Sequence, residues 1–150
     1  LDFTHCKLMG HFSDGLFQNG LIFYKNGDKY LGKFNNGKMS GKSLGVLTCA
    51  SGDVYEGDFN GRFIPIMEGV GKMVFKNGTQ YLGDFKNNFF EGEGQYTFAD
   101  GKIYQGQFKN GKMHGMGIVK NDGEIKYAGF WKNGEYVGQD EPESDEEESG

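Results

Sequence analysis

The residues of this 150-residue chain that could do covalent or metal chemistry are few, and their spacing does not assemble them. Hydrolytic or nucleophilic catalysis needs a nucleophile, a base and an orienting group within mutual reach. His5, His11 and His114 are the only histidines, and none falls next to a Cys or Ser inside a recognisable motif. Cys6 and Cys49 stand in non-equivalent places, too few for a disulfide scaffold or a zinc site. Gly92-Glu93-Gly94 and Gly115-Met116-Gly117 could pass for halves of a phosphate-binding fingerprint, but neither precedes a helix whose N-terminus would hold the anion. Asn77-Gly78-Thr79 matches a glycosylation acceptor and is better explained as a tight turn. The expectation is therefore a non-enzyme with no catalytic residue, no cofactor and no metal.

The chemistry left is that of aromatic surfaces. Tyr30, Tyr55, Tyr81, Tyr104 and Tyr127 each open the form Tyr-x-Gly-x-aromatic, closing on Phe34, Phe59, Phe85, Phe108 and Trp131. In an extended strand alternate side chains share a face, so these residues fall into two stripes on one side of a sheet. Their first job is structural, stacking unit on unit. In a one-layer sheet the stripes should stay part-exposed, and such Tyr and Trp residues are enriched in binding hot spots. The expected partner-binding residues are Tyr55, Phe59, Tyr81, Phe85, Tyr104, Phe108, Tyr127 and Trp131. A helix or an extended segment of a partner would lie along them.

A second contact site is suggested by a departure from the pattern. After Phe59 the chain runs Asn60-Gly61-Arg62-Phe63-Ile64-Pro65-Ile66-Met67, apolar where the other units carry polar turn residues. Pro65 cannot hold a central ladder position, so Phe63 to Met67 should bulge from the hairpin. Phe63, Ile64 and Ile66 would then grip a partner from one side. The plain alternative is that the loop folds back over a neighbouring aromatic.

The elements that must position these residues are strands. The tyrosines recur every 23 to 26 residues, and Leu8-Met9-Gly10-His11-Phe12 is a degenerate copy 22 residues before Tyr30. Self-similarity at that period marks units that cannot bury an apolar face alone and must stack. Asn36-Gly37, Asn110-Gly111 and Asn133-Gly134 supply the positive-φ residues of hairpin turns. Helices are excluded, since Gly falls every few residues and no run keeps 3.6-residue spacing. The reading is an all-β, elongated array of stacked antiparallel hairpins forming one twisted, trough-like sheet. Residues 1–29 form a degenerate N-terminal repeat or cap, with Gly15, Gly20 and Asn26-Gly27 in turn places. Residues 30–138 hold the regular repeats, interrupted by a two-residue insertion at Ser43-Leu44, and 139–150 form an acidic disordered tail.

Composition narrows the classes further. There are 27 Gly but only 2 Pro, beside 14 Phe, 8 Tyr and 1 Trp, which fits neither collagen nor a disordered linker. The stretch from Asp140 holds seven of the 21 acidic residues, leaving residues 1–139 with 14 acids against 16 bases, close to +2. No basic stripe suggests nucleic acid. Ser144 and Ser149, set among acids, resemble acidic-kinase sites, with a solubilising tail as the plainer reading. No run reaches 18 apolar residues, and the first residues do not read as a signal peptide, so a reduced, cytoplasmic setting is the default. The chain begins without Met, which points to a fragment.

The run Tyr-x-Gly-x-Phe-x-Asn-Gly-x-x-x-Gly-x-Gly, whole at Tyr104 to Gly117 and partial at Tyr30, Tyr55 and Tyr81, resembles the MORN repeat (membrane occupation and recognition nexus). The resemblance covers residues 8–138. Leu8 stands for Tyr, Asn88 for the turn Gly and Gln18 for the first Gly of a pair. It implies a scaffold that docks a protein partner, with cytoskeletal, ciliary or flagellar assemblies as settings and no catalysis by the repeat itself. One alternative is a peripheral membrane module for anionic phospholipid. Its basic residues, Lys33, Lys38, Lys42, Lys86, Lys109, Lys112 and Lys132, are scattered among acids, which leaves only weak lipid contact. Another is the targeting segment of a larger enzyme. An uncovered sheet edge would also allow a homodimer.

Overall fold

Glycine-bounded segments of about seven residues, alternately aromatic and polar, pair with their neighbours in the chain and build one open sheet. The computed structural model describes residues 6–39 and 45–143. Its strands are β1 (Lys7–Ser13), β2 (Leu16–Phe23), β3 (Lys29–Asn35), β4 (Lys38–Met39), β5 (Gly45–Thr48), β6 (Val54–Asn60), β7 (Ile66–Val74), β8 (Gln80–Lys86), β9 (Phe89–Thr97), β10 (Ile103–Lys109), β11 (Lys112–Asn121), β12 (Glu124–Lys132) and β13 (Glu135–Gly138). They follow chain order in one 13-stranded antiparallel sheet, with β4 and β5 both pairing with β3. No helix occurs among the described residues. The Ser43-Leu44 insertion and the residues from Ser144 onward lie outside them.

Two turn chemistries make the register. Two-residue loops have both residues at positive φ, as in Asn36-Gly37 (50° and 76°) and Asn110-Gly111 (51° and 84°). That is the type I′ geometry whose twist matches the strands. Asn87-Asn88 adopts the same pair of angles, 48° and 71°, because Asn tolerates the left-handed region that most side chains avoid. The longer loops close on a glycine, whose N–H reaches back to the strand end: Gly78 to Phe75 at 2.9 Å and Gly101 to Phe98 at 3.0 Å.

Every regular hairpin also carries the same bulge. Asp58, Asp84 and Gln107 each oppose three residues of the next strand, where the register shifts. Their side chains satisfy the backbone that the bulge frees: Val70 N–H donates to Asp58 at 3.0 Å, Glu93 to Asp84 at 3.2 Å and Met116 to Gln107 at 2.7 Å. Units are also stitched through their turns, with Gly111 N–H donating to the Phe90 carbonyl and Gly134 N–H to that of Met113.

One residue expected in a turn is not there. Gly20 lies inside β2, facing Gly10 on one side and Gly32 on the other. A Cβ on it would sit 2.2 Å from the Met9 carbonyl oxygen, so it is the close approach of strands that requires glycine.

Candidate functional site

The aromatic stripes form the core. Gly57 faces Gly71, Gly83 faces Gly94 and Gly106 faces Gly117, and the ring of Tyr55, Tyr81 or Tyr104 lies flat over each pair. Each hydroxyl then donates to a carbonyl three residues on: Tyr55 to Asp58 at 2.6 Å, Tyr81 to Asp84 at 2.7 Å and Tyr104 to Gln107 at 2.8 Å. Among the described residues, Tyr30 Oη finds no such partner.

The rings interlock into a ladder. Tyr30 meets Phe34 of its own unit and Phe59 of the next edge-to-face, and the same pair of contacts runs from Tyr55 to Phe59 and Phe85, from Tyr81 to Phe85 and Phe108, and from Tyr104 to Phe108 and Trp131. Edge-to-face pairs of this kind contribute about 0.5–1.5 kcal/mol each beyond their burial.

This geometry corrects the expected part-exposure of the stripes. Tyr55, Phe59, Tyr81 and Tyr104 have 0% of their surface exposed, and Phe85, Phe108 and Trp131 are also buried. Each ring is covered by its neighbours in the ladder, and the rings of Tyr55, Tyr81 and Tyr104 lie on glycines that offer no side chain to prop them away. Of the eight stripe residues expected to bind a partner, Tyr127 alone is open, at 51%.

The inserted loop differs from expectation as well. Pro65 stays outside the ladder, but Ile66 already pairs with Asn60 and Met67 with Phe59, so only residues 61–65 leave the hairpin. Phe63 is half-buried against Phe34, 6.0 Å between centroids, and its carbonyl accepts the Tyr24 hydroxyl. The loop thus folds back over an adjacent unit, leaving Ile64 exposed while Ile66 is half-buried.

The accessible aromatic surface lies on residues that pack against the ladder and that were not among the expected binding residues. Phe75, Phe90, Tyr96, Phe98 and Met113 are half-buried against the core. Together with Lys112 and Gly134 they line a cleft of about 270 Å³ on the aromatic face. The signal was present in the alternation of Tyr96 and Phe98 before Asp100-Gly101. It was outweighed by the more regular Tyr-x-Gly-x-Phe form.

Burial perturbs five phenols and one thiol in the array. Burial pushes the phenols of Tyr30 and Tyr104 up to about 12, and those of Tyr24, Tyr55 and Tyr81 are raised as well. Burial also raises the Cys49 thiol, with Asp28 and Asp53 adding to it. Its free thiol is thus a poor nucleophile. His114 takes part in the stitching of units, where its Nδ1 accepts the Asn133 N–H at 3.4 Å. No cluster of three potential metal ligands is found among the described residues.

The MORN repeat model matches residues 30–54, 66–80, 81–103, 104–120 and 127–139, more than half of the chain. A search of curated proteins finds no match. The stretch at 55–65 that the repeat model leaves out still carries Tyr55 and Phe59 in the ladder, with the inserted loop behind them. The repeat is a non-catalytic module of the binding and scaffold kind, and the single open sheet is what stacked copies of it build. The chain belongs to the MORN-repeat family.

Proposed function

We propose that this chain is a non-enzymatic adaptor that docks a protein segment, helical or extended, on its aromatic face. The observation that carries this is the cleft between units, where Phe75, Phe90, Tyr96 and Phe98 leave parts of their rings open while the ladder beneath them is closed. Rings held rigid by a packed core present apolar area with little entropy left to lose on binding. Lys112 at the cleft rim favours a segment with an acidic residue beside its apolar anchors. Exposed Tyr127 extends the aromatic surface toward the last unit. The cytoplasmic, cytoskeletal or ciliary settings associated with MORN repeats are where we would look for the partner.

The test is capture from cell extract by the intact chain and by a Tyr96→Ser, Phe98→Ser double variant, each checked by circular dichroism. A folded variant that loses a captured protein at least tenfold, about 1.4 kcal/mol, supports the docking cleft. A folded variant that keeps every captured protein overturns it.

A second reading, weak contact with anionic phospholipid, rests on the opposite face. There Met9, Leu21, Leu31 and Val46 form one cross-strand row, and Lys7, Phe23 and Lys29 form the next, with the Lys29 ammonium 5.9 Å from the Phe23 ring centre. Cosedimentation with phosphatidylserine vesicles that disappears in a Lys7→Glu, Lys29→Glu variant would favour it. Equal pelleting with neutral vesicles would remove it.

A further inference from the structure

In the ring ladder Phe59, Phe85, Phe108 and Trp131 are each closed from behind by a Tyr of the preceding unit, as Tyr81 closes Phe108. Phe34, whose preceding unit has Leu8 in the Tyr place, packs on Phe17 and Phe63 instead. Phe12 holds the Phe place in the first described hairpin and has no such cover among the described residues. It touches Phe17 at 5.2 Å and remains 49% exposed, whereas Phe34, Phe59, Phe85, Phe108 and Trp131 are all buried. Its strand, β1, is an edge of the sheet that the described residues form.

The two ends of the array are not alike. At the far end β13 runs for only four residues. Counting from Tyr136 as from Met113, Asp140 stands where the other units have the glycine that lies beneath a tyrosine ring, and Pro142 follows two residues later. An added strand would put a carboxylate under the ladder and lose a backbone donor at the proline. At β1, Gly10 keeps its place in the row Gly10, Gly20, Gly32, and the strand carries no proline and no acid. That edge can receive another strand.

We infer that the occupant is β1 of a second copy, paired antiparallel about a two-fold axis through Gly10. Leu8 and Phe12 lie two residues to either side of Gly10 and on the aromatic face, since Leu8 pairs with core residue Ile22 and Phe12 with core residue Phe17. The two-fold therefore sets Leu8 of each copy against Phe12 of the other, giving each exposed ring the apolar cover that a preceding Tyr supplies elsewhere. Gly10 meets Gly10, which continues the glycine row. Met9 meets His11 and Lys7 meets Ser13, so no like charges stand opposite each other. On the other face the rows beginning at Met9 meet across the axis. The contact is isologous and closes as a dimer.

Sedimentation velocity over a concentration series, with hydrogen exchange of the 7–13 segment, tests this. The chain should dimerise, and exchange in that segment should slow as concentration rises. Phe12→Lys should raise the dimer dissociation constant at least tenfold, about 1.4 kcal/mol, with an unchanged circular dichroism spectrum. Met9→Lys, on the opposite face of the strand, provides the same test should Phe12→Lys disturb the hairpin. Val137→Lys, on the far edge, should leave the dimer intact. A chain that stays monomeric overturns the inference. So does a dimer that persists in both β1 variants or dissociates with Val137→Lys.

Discussion

Tyr81 of one repeat meets Phe108 of the next edge-to-face, 5.0 Å between ring centres, while its own hydroxyl is tied to the Asp84 carbonyl at 2.7 Å. A single side chain therefore holds its own bulge and the neighbouring unit together. This is why an open sheet without a second layer still has a core.

The hydroxyl's share can be isolated by substitution. Tyr81→Phe and Tyr104→Phe should each lower stability by about 1 kcal/mol, the net worth of one hydrogen bond with the ring kept in place. Tyr30→Phe should be neutral or slightly stabilising, because its hydroxyl is buried without a partner among the described residues. Urea unfolding of the three variants checks the order, and an equal loss at Tyr30 would contradict it.

Glycine beneath the rings should be irreplaceable for a steric reason. A Cβ on Gly117 would lie 2.3 Å from Tyr104 Oη and 2.4 Å from its Cζ, so Gly117→Ala must displace the ring and should cost about 2–3 kcal/mol. Gly123, with open space around it and a φ of 78°, should accept Asn within about 0.5 kcal/mol, as Asn88 shows for an equivalent left-handed position. Thermal melts of both variants separate the two roles of glycine.

The inserted loop should behave as part of the fold. Phe63→Ser should lower stability by about 1 kcal/mol through its lost packing on Phe34, whereas Ile64→Ser should leave the melting temperature within error. A melt in which both variants match the parent would return the loop to a free surface element.

Alkaline pH should unfold the array in a defined window. Tyr24, Tyr30, Tyr55, Tyr81 and Tyr104 have phenols raised above the unfolded value of 10.0 by burial. The native state thus favours their neutral form. The stabilisation is fully present below pH 10 and is lost as pH climbs toward 12, where Tyr30 and Tyr104 ionise. Tyrosinate absorbance at these rings should rise together with loss of the strand signal in circular dichroism. Ionisation well before any unfolding would show that the rings are open to water.

Much of this protein was legible as sequence. The Tyr-x-Gly-x-aromatic phase, the Asn-Gly turns and the absence of helical spacing determine the strand pairing, because a period of two and a turn of fixed length leave one register that keeps the rings on one face. Even Asn88 in the turn-glycine place reads correctly once its tolerance of positive φ is considered. Which aromatics face solvent was decided only in three dimensions. Tyr104 and Tyr96 look alike in sequence and pair directly across the strands, but Tyr104 stands over the Gly106 and Gly117 pair and is sealed by Trp131, while the Tyr96 ring lies against Phe90 and Phe98 and stays half-open. Phe12 and Phe108 occupy the same motif position, but Tyr81 of the preceding unit closes Phe108, while Phe12 is 49% exposed among the described residues. Cover depends on what the next unit brings, and a local pattern carries no record of it.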